Sequence, residues 1–399
     1  MGLAIVRHKK LRESTIITRG ANLHVSPSPI VNAGRIFKET KSIVDAGLFE
    51  EVIVCGTANT ALPRVEALDK YRRIERVGRV EQFRPRTVIG RIANQIAWSI
   101  AVYRRYSQTD LAFVNAHSVA VLPVCYLLSR KLGAALIYDT HELETETIAS
   151  RGVQGRIFKF LERRLIDRCD AVLVVNQSIS QWYAKQYPGL RPVVVRNIPV
   201  VQEARRVESL RDTLDVPDTS LLFIHVGHIT AGRSVEAILD AFSDAATRHH
   251  VVFLGGGILS PAVETSASTH ANIHHIPAVT PNEVVGYAAT ADVGLCLIEP
   301  SCLSYKLSLP NKAMEYISAG LPFFFSDLPE VSALLGPLHD PWMVPEPKGG
   351  LVAAIEAVTA EQIAEARASI SGMRLPSWEA EAAEMIGVYD SILGSRTHP

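Results

Sequence analysis

Short apolar, β-branched runs alternating with helical patterns constrain this 399-residue chain more than any other feature. In the first half the runs are Ser14 to Thr18, Glu51 to Cys55, Leu111 to Asn115, Ala134 to Tyr138, Ala171 to Val175 and Pro192 to Val195. Helical spacing falls between several of them, over Arg35 to Asp45, Arg91 to Arg105, Val119 to Lys131, Arg156 to Cys169 and Ser178 to Gln186. Strands that are apolar throughout, each followed by a helix, predict a parallel sheet covered on both faces. After a polar, Pro199-containing stretch from Ile198 to Pro217, the alternation restarts. It runs through Leu221 to Val226, Ser234 to Ala245, Val251 to Leu254, Ile273 to Ile276 and Val293 to Ile298. The fold class is therefore α/β, with two doubly wound parallel-sheet domains in succession. Ligands of such sheets lie at the carboxyl ends of the strands.

Hydrophobic residues make up 47% of the chain, enough for full cores. Lysine plus arginine and aspartate plus glutamate both count 41, which excludes a wholesale nucleic-acid binder. The five cysteines are scattered, with no Cys-x2-Cys, and fit a reducing, cytoplasmic compartment. The first six residues are too short for a signal h-region, and no apolar run is long enough to span a bilayer.

The densest motif is Leu309-Pro310-Asn311-Lys312-Ala313-Met314-Glu315-Tyr316-Ile317-Ser318-Ala319-Gly320-Leu321-Pro322. Pro310 suits a first helical position, Gly320 a left-handed stop, and Pro322 forbids continuation. The run Phe323-Phe324-Phe325 follows as a buried strand. A helix tip presents unpaired N–H groups and partial positive charge, so it can hold a phosphate. Lys312 adds a full charge there, and Glu315 follows on the same side. The bland alternative is a surface helix with an i,i+3 ion pair.

Residues Pro310 to Asp327 resemble the nucleotide-sugar motif of family 4 retaining glycosyltransferases of the GT-B fold. That resemblance implies two facing Rossmann-like domains. They would be 1–198 on the acceptor side, 199–376 on the nucleotide-sugar side, and a C-terminal helix from 377 to 399 crossing back onto the first. It implies a retaining hexosyl transfer from a nucleotide-diphosphate sugar, with uridine as the base by family habit, in glycan or glycoconjugate synthesis. The sugar nucleotide is a co-substrate; no cofactor is implied.

The resemblance also assigns residues. Glu315 falls on the carboxylate that grips the ribose. His117, after the strand Leu111 to Asn115, matches a histidine that meets the donor sugar. Gly227-His228-Ile229-Thr230-Ala231-Gly232-Arg233 matches a diphosphate-binding loop, with His228 standing where an arginine is usual and Arg233 where a lysine is usual. Pro277 and Ala278 match backbone contacts to the base. Leu309, Pro310, Asn311 and Lys312 line the helix tip. His141 and Glu142, in Tyr138-Asp139-Thr140-His141-Glu142-Leu143, are acceptor-side candidates. Catalysis falls to His117, Arg233, Lys312 and Glu315. The family's first glutamate has no counterpart, since position 307 is Leu307; Ser304 and Tyr305 are candidates to replace it.

No Asp-x-Asp occurs, so a metal-independent site is expected, with Arg233, Lys312 and helix amides neutralising the leaving group. His274 and His275 are adjacent in a strand and point opposite ways, which argues against a shared metal. Two alternatives remain open. One is a sugar-nucleotide epimerase or phosphorylase on the same fold. The other is an inactive nucleotide-binding partner subunit. Residues 70–91 carry eight basic and two acidic residues, with Ile74, Val77, Val80 and Phe83 recurring every three. An amphipathic helix or loop docking on an anionic membrane, or on a lipid-linked acceptor, is expected there. Arg156, Lys159 and Arg163 form a second basic stripe beside Phe160.

Overall fold

The computed structural model describes residues 20–31, 33–79, 87–148, 150, 152–199, 207–244, 247–336, 342–373 and 376–397. The chain divides into two compact units. One comprises Met1–Asp139, Arg164–Ala171 and Val388–Pro399; the other comprises Thr140–Arg163 and Val172–Gly387.

The first unit carries strands β1 (Ala21–Val25), β2 (Val52–Thr57), β3 (Val65–Ala67), β4 (Arg72–Val77), β5 (Leu111–Ala116) and β6 (Ala135–Thr140). Their spatial order is β3-β4-β2-β1-β5-β6. β1 pairs in parallel with both β2 and β5, and β5 with β6, while β3 alone runs antiparallel to β4. The strand order reverses beside β1, so the carboxyl ends of β1 and β5 flank a topological switch point, where doubly wound sheets bind ligands. Val52, Ile53, Val54 and Cys55 of β2 are all buried, as two-sided coverage requires.

One expectation is corrected in this unit, and one falls outside the described residues. The strand at Ser14 to Thr18 lies outside the described residues; the first described strand is β1, five residues that include Asn22 and His24. Burial of these polar side chains is compensated by partners in β5 and the loop after it. Asn115 Nδ2 donates to Asn22 Oδ1 at 2.5 Å, and Tyr389 from the C-terminal helix donates to Asn115 Oδ1 at 2.7 Å. The basic run is not a helix between Arg72 and Val77 but strand β4, paired in register with β2. Ile74 is fully buried, and Val77, three residues on, falls on the opposite face of the strand. Val80, Glu81, Phe83, Arg84 and Arg86 lie outside the described residues.

In the second unit β7 (Ala171–Val174) pairs in parallel with β8 (Val193–Val194). A five-stranded sheet then runs through β9 (Leu222–His228), β10 (His250–Gly256), β11 (Ile273–Ile276), β12 (Val293–Cys296) and β13 (Phe323–Phe325). Its order is β11-β10-β9-β12-β13, and every pair is parallel. Here the switch point lies between β9 and β12. The Gly255–Gly257 turn works by close backbone approach: a Cβ on Gly255 would lie 1.9 Å from the carbonyl oxygen of Gly227. The last helix, Trp378–Thr397, anchors in the second unit through Glu381, which accepts from the Arg196 amide at 2.7 Å and its guanidinium at 2.9 Å.

Candidate functional site

The motif helix spans Asn311–Ser318, with Pro310 as its extended N-cap rather than its first helical residue. Gly320 adopts φ +65°, the left-handed stop that its sequence position predicts. Tyr316 fixes the helix against the sheet. Its hydroxyl donates to the Ile224 carbonyl at 2.9 Å and accepts from the Val226 amide at 3.2 Å. Both partners belong to β9, so the helix tip is held beside the carboxyl end of that strand, at the switch point.

Lys312 is not on the surface. It is 8% exposed, and its Nζ lies 3.2 Å from His225 Nε2 and 3.4 Å from Nδ1. His225 is fully buried in the middle of β9. Burial drives the lysine down to about 8, with Arg233 acting in the same sense and Glu315 opposing. Burial also holds the His225 ring well below its ordinary value, and the Lys312 charge adds to this. The imidazole is therefore neutral and can only accept from the ammonium. The surface ion-pair alternative is thereby removed: the lysine's near partner is a ring, in a pocket where positive charge gathers.

Arg233 follows Gly232, whose φ is +82° and whose absent Cβ would lie 2.7 Å from the Tyr305 ring. The Arg233 guanidinium lies over that same ring, 4.8 Å from its centroid. Tyr305 thus fixes the loop and stacks the cation, leaving the guanidinium edge to donate. The next residue, Ser234, has φ +51° and is 2% exposed. Its hydroxyl, at the start of the helix Val235–Ser243, has no hydrogen-bond partner among the described residues. Gly227 and His228 end β9 on an exposed edge, and Pro277 and Ala278 are exposed after β11. Leu309, Pro310 and Asn311 lead into the helix tip, and Asn197 Nδ2 donates to Asn311 Oδ1 at 3.1 Å.

The loop before the helix is braced from two sides. Asn176 Nδ2 donates to the Leu307 carbonyl at 2.8 Å, and Ser304 Oγ donates to Glu142 Oε2 at 3.3 Å. Position 307 therefore contributes a backbone contact, and Ser304, a candidate for the missing carboxylate, is buried against an acid. Of the acceptor-side pair, Glu142 is taken up by this contact and His141 is exposed. His274 and His275 diverge as alternation requires: the former meets His250 at 3.0 Å, the latter the Gly255 carbonyl at 3.1 Å.

The first unit holds a second polar cluster at its own switch point. His117 is 3% exposed, and both its ring nitrogens are engaged. Nδ1 lies 3.0 Å from Asp139 Oδ2, and Nε2 lies 2.8 Å from His24 Nδ1. Arg35 grips Asp139 with two bonds, at 2.7 and 3.1 Å, and meets Glu39 at 2.9 Å. Burial raises the Glu39 carboxyl well above its usual range and lowers the His24 ring well below its own. Asp139 accepts from Arg35 and faces the His117 ring, so the pair Asp139 and Arg35 supplies the cluster's anion and cation. The ligand atoms of His24, Glu39 and His117 lie within 4.8 Å of one another, a spacing that can suit a metal ion. Within this group both His117 nitrogens are engaged, while His24 Nε2 and Glu39 Oε1 have no hydrogen-bond partner among the described residues. A sugar contact through either ring nitrogen of His117 would require breaking one of these bonds.

Three arginines of the basic run are paired within the fold. Arg72 pairs with Asp69 at 2.7 Å, Arg73 with Glu51 and with Glu75, and Arg76 with Glu66 at 2.8 Å. Arg76 also donates to the carbonyls of Pro29, Ile30 and Pro63.

His24, Arg35, Glu39, Asn176, His225 and Ser234 escaped sequence reasoning. The one available signal was a polar residue interrupting an apolar strand, as His225 interrupts Leu222-Phe223-Ile224 and Val226.

With the geometry in place, the fold is defined: the chain has the GT-B fold of the solved structures it resembles. Residues 45–199 match the model of Glycosyltransferase Family 4. Sucrose-phosphate synthase from Thermosynechococcus elongatus superposes with a TM-score of 0.76 at 15% identity, covering 94% of this chain and 100% of that one. Anabaena HepE, solved with UDP-glucose, gives 0.63 at 13%, covering 95% and 100%. A Rickettsia africae glycosyltransferase gives 0.62 at 12%, covering 94% and 98%. Among curated proteins none matches.

Proposed function

We propose that the protein transfers a sugar from a nucleotide-diphosphate donor to an acceptor hydroxyl with retention of anomeric configuration, and that the donor is a uridine diphosphate sugar. The observation that carries this is the buried Lys312 ammonium. Its near partner is the His225 ring, the Arg233 charge acts on it, and it lies in the first turn of the motif helix. Such a pocket is built for a dianion, and burial strengthens its hold on charge. Glu315, one turn along the helix, is placed to accept from ribose hydroxyls. UDP-bound neighbours such as HepE favour uridine.

In the proposed reaction the bond from the sugar's anomeric carbon to the diphosphate oxygen breaks as the acceptor oxygen approaches the same face. The acceptor's proton passes to the departing phosphate oxygen. Arg233 and Lys312 stabilise the charge that develops there, which lowers the barrier more than it tightens the ground state. No metal and no cofactor enter this scheme. His117, with both ring nitrogens engaged, acts by shaping the first unit's switch point. His141 and Glu142 are proposed on the acceptor side. The dispersed free cysteines fit a cytoplasmic setting.

The inactive-subunit reading is favoured by Leu307 and His228. A thermal-shift screen over nucleoside diphosphates and their sugars, followed by NMR of the donor's anomeric proton with and without acceptors, decides between them. The expected result is stabilisation by a uridine diphosphate sugar, then slow donor hydrolysis with the α-anomer retained. Stabilisation without any turnover marks a binding subunit, and an epimeric sugar nucleotide marks an epimerase.

A further inference from the structure

The helix Val153–Leu165 presents two unlike faces. Its only acidic residue, Glu162, is fully buried and pulls one face inward. Tyr183 and Tyr187 donate to the Glu162 carboxylate at 2.7 and 3.0 Å, and Thr145 donates to it at 3.3 Å. Gly155 lies on that side too, where a Cβ would collide with the Ser150 carbonyl oxygen at 1.5 Å. These contacts fix the helix rotation. What is left outward is Val153 (64% exposed), Ile157 (37%) and Phe160 (57%), spaced i, i+4, i+7 in one stripe. Exposed Arg156, Lys159 and Arg163 flank it. Lys159 is shared with Glu146 at 2.6 Å.

We infer that this outward face docks the second unit on an anionic lipid bilayer, with Phe160, Ile157 and Val153 entering the headgroup boundary and Arg156 and Arg163 meeting lipid phosphates. A surface helix that faces solvent ordinarily carries acids among its bases and keeps its apolar residues inside. Here the single acid is buried and three apolar side chains are out. That pattern, an apolar stripe edged by arginine and lysine, is the one that lies in a membrane interface plane. Charge complementarity selects the anionic leaflet, because the helix carries four exposed cations, Arg156, Lys159, Arg163 and Arg164, and no exposed acid. The locus differs from the run at 70–91, of which Arg72, Arg73 and Arg76 are paired within the fold. No helix among the described residues is long and apolar enough to cross a membrane, so the contact is peripheral.

The test is sedimentation of the full chain with vesicles of phosphatidylcholine alone and of phosphatidylcholine mixed with phosphatidylglycerol. Binding is expected to be several-fold greater on the mixed vesicles and to fall as salt is raised beyond the physiological range. Ile157→Asp with Phe160→Asp is expected to abolish it. Arg156→Glu with Arg163→Glu is expected to remove the preference for anionic lipid. Lys70→Glu with Arg79→Glu is expected to leave binding unchanged. Far-UV circular dichroism and melting confirm that each variant is folded. In a Phe160→Trp variant, the added tryptophan's fluorescence is expected to shift to the blue on mixed vesicles. The inference is overturned by any of four results. They are supernatant-only protein with both vesicle types, equal binding to neutral vesicles, retained binding in the folded double-aspartate variant, or a concentration-dependent dimer that this variant dissociates.

Discussion

Lys312 Nζ sits 3.2 Å from His225 Nε2, a cation and a neutral ring that share a buried site. The lysine lies on a helix tip and the histidine lies mid-strand in β9, so the contact joins the motif to the sheet it serves. A buried ammonium facing a ring is unfavourable in the resting fold, and burial lowers its pKa. It becomes favourable when an anion arrives.

Replacing Lys312 with methionine should therefore separate stability from function. The isosteric apolar chain removes the buried charge, so resistance to denaturant should rise, by up to about 3 kcal/mol. Affinity for the nucleotide diphosphate should fall. Paired denaturation and calorimetry measure both; a variant that loses stability and keeps affinity would exclude the anion-site role.

The same lysine sets a pH dependence. Its folded value of about 8 lies below its ordinary 10.5. Between these values the unfolded chain holds a proton that the native chain has released. The unfolded state therefore binds more protons, and stability should rise with pH across this window. Donor affinity should move the other way, weakening as pH passes through 8 and the ammonium is lost. Titration of both quantities from pH 7 to 10.5 checks the opposed slopes, and Lys312→Met should flatten each.

Glu315→Ala should weaken donor binding while barely disturbing the fold. Hydrogen bonds to a carboxylate contribute roughly 1.5–3 kcal/mol each, so losing one costs about tenfold to a hundredfold in affinity. Calorimetry with the nucleotide diphosphate reads this directly, and unchanged affinity would remove Glu315 from the ribose.

Arg233→Ala should lower turnover more than it lowers affinity for the free nucleoside, because its charge opposes the diphosphate as the bond breaks. Arg233→Lys should recover only part of the loss, since a lysine neither stacks on Tyr305 nor donates as a fork. Equal losses for uridine and for the full donor would point to a misplaced loop instead.

Arg35 and Asp139 form the buried ion pair of the first unit, with side chains 5% and 1% exposed. Removing Arg35 alone strands the carboxylate and should cost about 3–5 kcal/mol of stability. Asp139→Asn in the same chain should restore part of it. Chemical denaturation of the single and double variants tests the coupling.

How much of this was legible in sequence follows from the range of each interaction. Two doubly wound sheets, the helix Asn311–Ser318, its glycine stop at Gly320 and the strand Phe323–Phe325 were all readable, because local periodicity, capping and turn chemistry act within a few residues. Glu315, Arg233 and Lys312 could be singled out by motif for the same reason. Tertiary structure alone decided that Lys312 is buried against His225, since the partners are 87 residues apart. It decided that Arg72, Arg73 and Arg76 are paired within the fold, and that His117 is enclosed by His24 and Asp139. It also decided which way the helix Val153–Leu165 faces, because Glu162 finds its hydroxyl partners in a different helix. Charge and polarity are written in sequence, but whether a charged group meets solvent, a counter-charge or a neutral ring depends on contacts that only folding brings together.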